Sequence, residues 1–75
     1  MAVMLDLKGL KCPLPVLRTG KALRASAPGE RIVVVCSDPL ASLDIPNLLR
    51  ETGDHLEAET REDGLLIFHI RKKSA

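Results

Sequence analysis

The side chains with the most chemistry in this chain lie in one stretch, Gly9-Leu10-Lys11-Cys12-Pro13-Leu14-Pro15-Val16-Leu17. A cysteine follows a glycine and a lysine, and prolines stand at alternate positions after it. Proline is tolerated in the first turn of a helix, where its missing N–H would have no partner. Pro13 and Pro15 therefore open a helix, with Cys12 at or next to its N-cap. A thiol placed there lies at the positive end of the helix dipole, over unpaired backbone N–H groups. The thiolate is the reactive form of cysteine, and a free thiol is only about 3% ionised at pH 7. A helix terminus supplies roughly 0.3–1 kcal/mol, less than the ~1.36 kcal/mol of one pKa unit. Lys11 has to add to it, with Arg18 and Lys21 one and two turns further on. Together they predict a thiol lowered towards neutrality. The competing reading of the same residues is a buried, inert cysteine, because free cysteine commonly serves as a small core hydrophobe.

Other candidates for chemistry are weaker. Cys12, Cys36, His55 and His69 lack the paired spacing of a metal site, so no metal is expected. His69 alternates within a strand and reads as a sheet-face residue; His55 falls at a helix-to-strand junction, on the surface. Asp38, Asp44 and Asp54 are explained by caps and turns. No glycine-rich phosphate loop and no Ser/His/Asp arrangement is visible, and no cofactor is expected.

The elements that must position Cys12 can be read from periodicity. Ala2 to Leu7 alternates, with Val3, Leu5 and Leu7 on one side, which marks a half-buried strand. Gly9 ends it. Residues from Pro13 to about Ala25 suit a helix with an apolar stripe of Val16, Leu17, Gly20 and Leu23, leaving Leu14, Arg18, Lys21 and Ala25 on another face. Leu14 is thus expected to be exposed beside the thiol. Ile32-Val33-Val34-Val35 within Arg31 to Cys36 is a β-branched run typical of a central strand covered on both sides. A helix joins the two strands, so they are expected to be parallel, with Cys36 and Asp38 brought within reach of Cys12 at their carboxyl ends. Ser37 or Asp38 can cap a second helix, from about Ala41 to Thr52, whose apolar face is Leu40, Leu43, Leu48 and Leu49. Asp44 can act as a local N-cap before Pro46, and Gly53 suits the C′ position. His55 to Arg61 alternates, Glu62-Asp63-Gly64 signals a hairpin, and Leu65 to Arg71 returns with Leu66, Phe68 and Ile70 on one face. The expected fold is α+β: a two-layer sandwich in the order β-α-β-α-β-β, two helices packed on a mixed four-stranded sheet.

Composition narrows the function. Seventy-five residues allow a single domain over 1–75, with a core near the lower size limit. One phenylalanine and no tryptophan or tyrosine argue against base stacking, and a net charge of +1 gives no strong nucleic-acid footprint, so no stable nucleic-acid binding is expected. Local cations, Lys8, Lys11, Arg18, Lys21 and Arg24 and then Arg71-Lys72-Lys73, read as a solvated face. There is no signal-peptide pattern and no apolar stretch of membrane-spanning length. Two cysteines without a secretory signal point to free thiols in the reducing cytoplasm.

Leu5-Asp6-Leu7-Lys8-Gly9-Leu10-Lys11-Cys12-Pro13-Leu14-Pro15-Val16-Leu17, followed by Lys21-Ala22-Leu23, resembles the TusA/SirA-like sulfur-carrier family. Cys12, Pro13, Leu14 and Pro15 match its Cys-Pro-x-Pro motif. Ser37-Asp38-Pro39-Leu40-Ala41-Ser42-Leu43-Asp44-Ile45-Pro46 is similar to its Asp-Pro…Asp-Ile-Pro segment. Gly53-Asp54-His55-Leu56 stands at a Gly-His-like stretch, with an extra aspartate. The resemblance covers nearly the whole chain. It implies a sulfurtransferase in the sense of a stoichiometric carrier. Cys12 takes sulfane sulfur as a persulfide from a cysteine desulfurase or other donor and passes it to an acceptor protein. Pathways of transfer-RNA thiolation, molybdenum-cofactor biosynthesis and sulfur oxidation all stay open. Lys11, Arg18 and Lys21 would tune and steer, Pro13 and Pro15 would stiffen the loop, and Leu14 with its helix would meet the partner, near Asp38. A transiently docking monomer suits such a carrier. Two other readings stand beside it: a non-catalytic regulatory or RNA- or protein-interaction module, and a thiol-redox protein using Cys12 and Cys36. The family resemblance assigns nothing to Cys36, which either resolves a Cys12 persulfide into a disulfide or packs at a strand end.

Overall fold

The structure is a computed structural model and describes residues 2–74. Its elements are β1 (Ala2–Leu7), α1 (Leu14–Ala25), β2 (Arg31–Cys36), α2 (Ala41–Thr52), β3 (His55–Glu62) and β4 (Leu65–Arg71). The strands form one sheet in the order β1-β2-β4-β3. β1 and β2 are parallel, with Leu7 level with Cys36, while β4 runs antiparallel to both β2 and β3. This is the expected two-layer arrangement of two helices on a mixed four-stranded sheet.

Alternation along the strands creates the core. Ile32, Val34 and Cys36 of β2 and Leu66, Phe68 and Ile70 of β4 point to the helical side with Leu7. They meet Leu23 of α1 and Ala41, Ile45 and Leu49 of α2. Phe68, the one aromatic residue of the chain, is fully buried among them.

Three expectations about burial are corrected. Val33 and Val35 are only half-buried, because both helices lie on the same face and leave the other side of β2 open. Leu17 is 58% exposed, and α1 instead buries Pro15, Thr19, Gly20 and Leu23. With a helix turning about 100° per residue, Leu17 falls beside Leu14 and Lys21 on the outward face. In α2 the buried set is Ala41, Ile45 and Leu49, whereas Leu40 and Leu43 are 53% and 64% exposed. Pro46 lies inside α2 rather than near a fresh start, and Asp44 occupies the first turn without capping anything.

The turns follow backbone chemistry. Asp63 (φ 52°) and Gly64 (φ 78°) are both left-handed, the geometry of the tight hairpin turn that matches strand twist. Gly53 closes α2 at φ 84°, donating its N–H to the Leu49 carbonyl at 2.8 Å.

Beyond β4 the chain is tied back to the end of α2. The fully buried Asp54 side chain accepts the Lys73 N–H at 2.9 Å, with the Lys72 ammonium 4.0 Å away. The Lys73 ammonium in turn donates to the Thr52 carbonyl at 2.8 Å. Burial pulls the Asp54 carboxyl upwards. The Lys73 N–H, the Thr52 hydroxyl and the two lysine charges outweigh it and hold the group below the usual carboxylate range. A carboxyl depressed on folding stabilises the fold above its unfolded pKa and stops doing so as pH falls through the folded value. Asp54→Ala is therefore expected to cost about 1–3 kcal/mol at neutral pH. The difference from wild type should shrink below about pH 4, as measured by urea unfolding at each pH.

Candidate functional site

Two loops meet at the carboxyl edge of the parallel pair. The loop after β1 turns at Gly9 (φ 84°), whose N–H donates to Ser37 Oγ at 2.8 Å. Three residues later the Cys12 N–H donates to Asp38 Oδ2 at 2.7 Å. The other oxygen of the same carboxylate accepts the Leu40 N–H at 3.0 Å. Asp38 thus pins the backbone of Cys12 against the entrance to α2, at the sheet edge to which the pairing of Leu7 with Cys36 brings both loops. Those two backbone donors, with desolvation opposing and Lys11 assisting, hold the Asp38 carboxyl below its usual range.

Cys12 is exposed, and the Cys12–Pro13 peptide bond is cis. Pro13 is the N-cap of α1 and Pro15 its second residue, so the prolines open the helix and Cys12 stands next to the cap. The Cys12 thiol is nevertheless raised, not lowered. The largest cause is the Asp44 carboxylate across the cleft, followed by desolvation and by the negative charge of Asp38. The Leu14 N–H donates to the Lys11 carbonyl at 2.9 Å, and Pro15 has none. Lys11 adds to the lowering of the Asp38 carboxyl. Arg18 and Lys21 lie on the exposed side of α1.

Asp44 is the site residue that sequence reasoning assigned to a cap. In α2 it shares a side with Asn47, Leu48 and Glu51, which face Cys12, Pro13 and Val16 across a cleft of about 270 Å³ between the helices. A second hollow, lined by Leu10, Lys11, Cys12, Asp38, Pro39 and Leu40 among others, opens on the opposite flank of the thiol. Leu14 is 41% exposed, as expected, and Leu40 and Leu43 add two exposed apolar side chains that the sequence had placed in the core. The spacing Cys12 to Asp44 carries no local signal, since the whole of α1 and β2 lies between them.

Cys36 has a different environment. Its side chain is completely buried at the end of β2. Desolvation, and then the Asp38 charge, push its pKa up to about 11. Of the two readings left open for it, the structure shows packing at a strand end.

A family model described as sulfurtransferase TusA matches residues 3–72, almost the whole chain. The chain belongs to the TusA family. A protein of Archaeoglobus fulgidus is 45% identical over 67 residues, covering 88% of this chain and 87% of its own length. The sulfur carrier protein TusA of Allochromatium vinosum is 38% identical over 68 residues, covering 91% and 90%. Among solved structures, a SirA-like protein from Desulfitobacterium hafniense superposes with a TM-score of 0.83 over 97% of this chain and 99% of that one. At 23% identity that likeness concerns the fold. Relative to the TusA motif, Cys12, Pro13 and Pro15 stand where the helix begins, so the motif's cysteine is the accessible one here. Aromatic disulfide titration should accordingly find one fast thiol in the native TusA-family chain and a second only after denaturation. Two fast thiols would contradict the burial of Cys36.

Proposed function

We propose that residues 1–75 act as one sulfur-carrier domain whose cargo is a persulfide on Cys12. The observation that supports this most is the presentation of that residue: an exposed sulfur on a backbone pinned by Asp38, at the mouth of a cleft, in a chain of the TusA family. In loading, the ionised Cys12 sulfur attacks the outer sulfur of a donor persulfide. One S–S bond forms as the donor's S–S bond breaks, and the donor departs as a thiol after taking the proton Cys12 has lost. No net oxidation occurs, so no further reagent is needed. Discharge repeats the exchange with the carrier as donor. A cysteine desulfurase is the natural class of donor, and an acceptor protein of a cytoplasmic sulfur pathway the natural recipient.

Docking would use the apolar side chains around the thiol, Leu14 of α1 and Leu40 and Leu43 of α2, with Lys11, Arg18 and Lys21 as a cationic margin. Pro13 and Pro15 limit the backbone freedom lost when a partner binds. The redox alternative is opposed by the complete burial and raised pKa of Cys36.

Intact mass after incubation with a cysteine desulfurase and cysteine should show a reductant-sensitive gain of one sulfur atom, mapping to Cys12. Cys12→Ser should abolish the gain and Cys36→Ser should keep it. Loss of two hydrogens instead would indicate a Cys12–Cys36 disulfide. Leu43→Asp should slow loading by the desulfurase while leaving alkylation of Cys12 by a small reagent unchanged. Equal loading rates for Leu43→Asp and wild type would remove α2 from the docking surface.

A further inference from the structure

The sheet has two borders, and they are built differently. β3 carries Glu57, Glu59, Arg61 and Glu62 and breaks its pairing between Leu56 and Ala58. At the other border β1 reads Ala2-Val3-Met4-Leu5-Asp6-Leu7, with one charged residue and no proline. It pairs with β2 residue for residue, without a bulge. Every second residue of a border strand turns its N–H and C=O away from the sheet. Among the described residues, no turn, loop or cap hydrogen bond engages the backbone of residues 2–6. The side chains are open as well: Met4 is 70% exposed, Val3 41% exposed and Leu5 half-buried. A regular apolar border without charges or a bulge to guard it can accept a further strand.

We propose that β1 pairs antiparallel with β1 of a second copy of this chain, about a two-fold axis perpendicular to the sheet at Met4. The strand is its own complement in that register, which favours a second copy over a foreign segment. Residues directly opposite each other in an antiparallel pair lie on the same side of the sheet. With Met4 opposite Met4, Val3 stands opposite Leu5 on the side that Leu7 also occupies. The apolar side chains that β1 leaves open then meet only one another, the two methionines on one side and the Val3–Leu5 pairs on the other. Asp6 stands opposite Ala2, so the two carboxylates fall at opposite ends of the ribbon. An axis at Leu5 would instead set Asp6 against Met4 and lose the match.

A two-fold contact uses the same border on both chains and therefore closes. The remaining borders of the eight-stranded sheet are two copies of β3, charged and bulged, so assembly stops at two chains. The contact is a narrow ribbon, smaller than the about 1,200 Å² at which standard interfaces begin, so dilution separates the copies. Because the paired strands run antiparallel, the loops that follow them leave at opposite ends. Both Cys12 side chains stay open to a partner. The pairing does not depend on the carrier reading.

Sedimentation equilibrium of the reduced wild-type chain, from micromolar to millimolar concentration, should show the mass rising from 8.2 kDa towards twice that value. Met4→Lys, which sets two ammonium groups face to face at the axis, should keep its native circular dichroism and stay at 8.2 kDa. In a Cys12→Ser background, Met4→Cys should give a disulfide-linked dimer under mild oxidation, since opposed Cβ atoms lie about 4.5–5.5 Å apart. Asp6→Cys in the same background should not, because four residues of strand, roughly 14 Å, separate its two copies. A wild-type mass that stays at one chain up to millimolar concentration would overturn the proposal, as would growth beyond two chains. Dimerisation of Met4→Lys as strong as wild type would overturn it too, and so would cross-linking of Asp6→Cys as ready as that of Met4→Cys.

Discussion

The Asp38 carboxylate accepts the Cys12 N–H with one oxygen and the Leu40 N–H with the other, and the arrangement of the site depends on this bridge. An ionised acceptor forms shorter and stronger hydrogen bonds than a neutral one, and here it joins two loops that the sequence places 26 residues apart. Parallel pairing of β1 with β2 brings the loops to one edge of the sheet, but pairing alone would leave the Cys12 backbone free to turn. The Gly9 N–H to Ser37 hydroxyl contact supplies a second tie between the same loops. With both in place, the entrance of α1 and the entrance of α2 are held side by side, and the cleft between the helices begins at the sulfur.

This geometry gives the thiol an unexpected electrostatic character. A helix start and a neighbouring lysine are the usual means of activating a cysteine. In this chain the Leu14 N–H is consumed by the Lys11 carbonyl and Pro15 has none, and the charges that shift the thiol are carboxylates. Accessibility and activation are thereby separated: Cys12 is open to a partner, while the carboxylates around it disfavour the thiolate. Such a separation fits a protein whose sulfur should move only between matched proteins.

Much of the fold was legible because its strongest patterns are local. The alternation of Leu66, Phe68 and Ile70, the β-branched run of β2, the Asp63-Gly64 turn and the terminal Gly53 each follow from backbone and side-chain preferences within a few residues. The helices were harder. Both carry more aliphatic residues than their buried faces can hold, so Leu17, Leu40 and Leu43 competed with Thr19 and Ala41 for the core on paper. Only the packing of α1 against α2 decides that contest. The motif around Cys12 and its proximity to Asp38 were readable from topology. The placement of Cys12 and Asp44 on one cleft was not, because it depends on which side of α2 faces α1, and that in turn follows from the phase of Ala41, Ile45 and Leu49.

The outer strand β3 reads His-Leu-Glu-Ala-Glu-Thr-Arg-Glu and is exposed along its whole length, with a bulge between Leu56 and Ala58. Glu57 at the irregularity is gripped by Arg31 at 3.3 Å and Arg71 at 3.4 Å. An open strand edge is ordinarily a template on which a foreign chain can add itself, and fibrils start in that way. Dense charge of both signs and a local break in pairing spoil the template. The border of the sheet farthest from β1 is thus closed to strand exchange, and encounters with other chains are steered away from that edge.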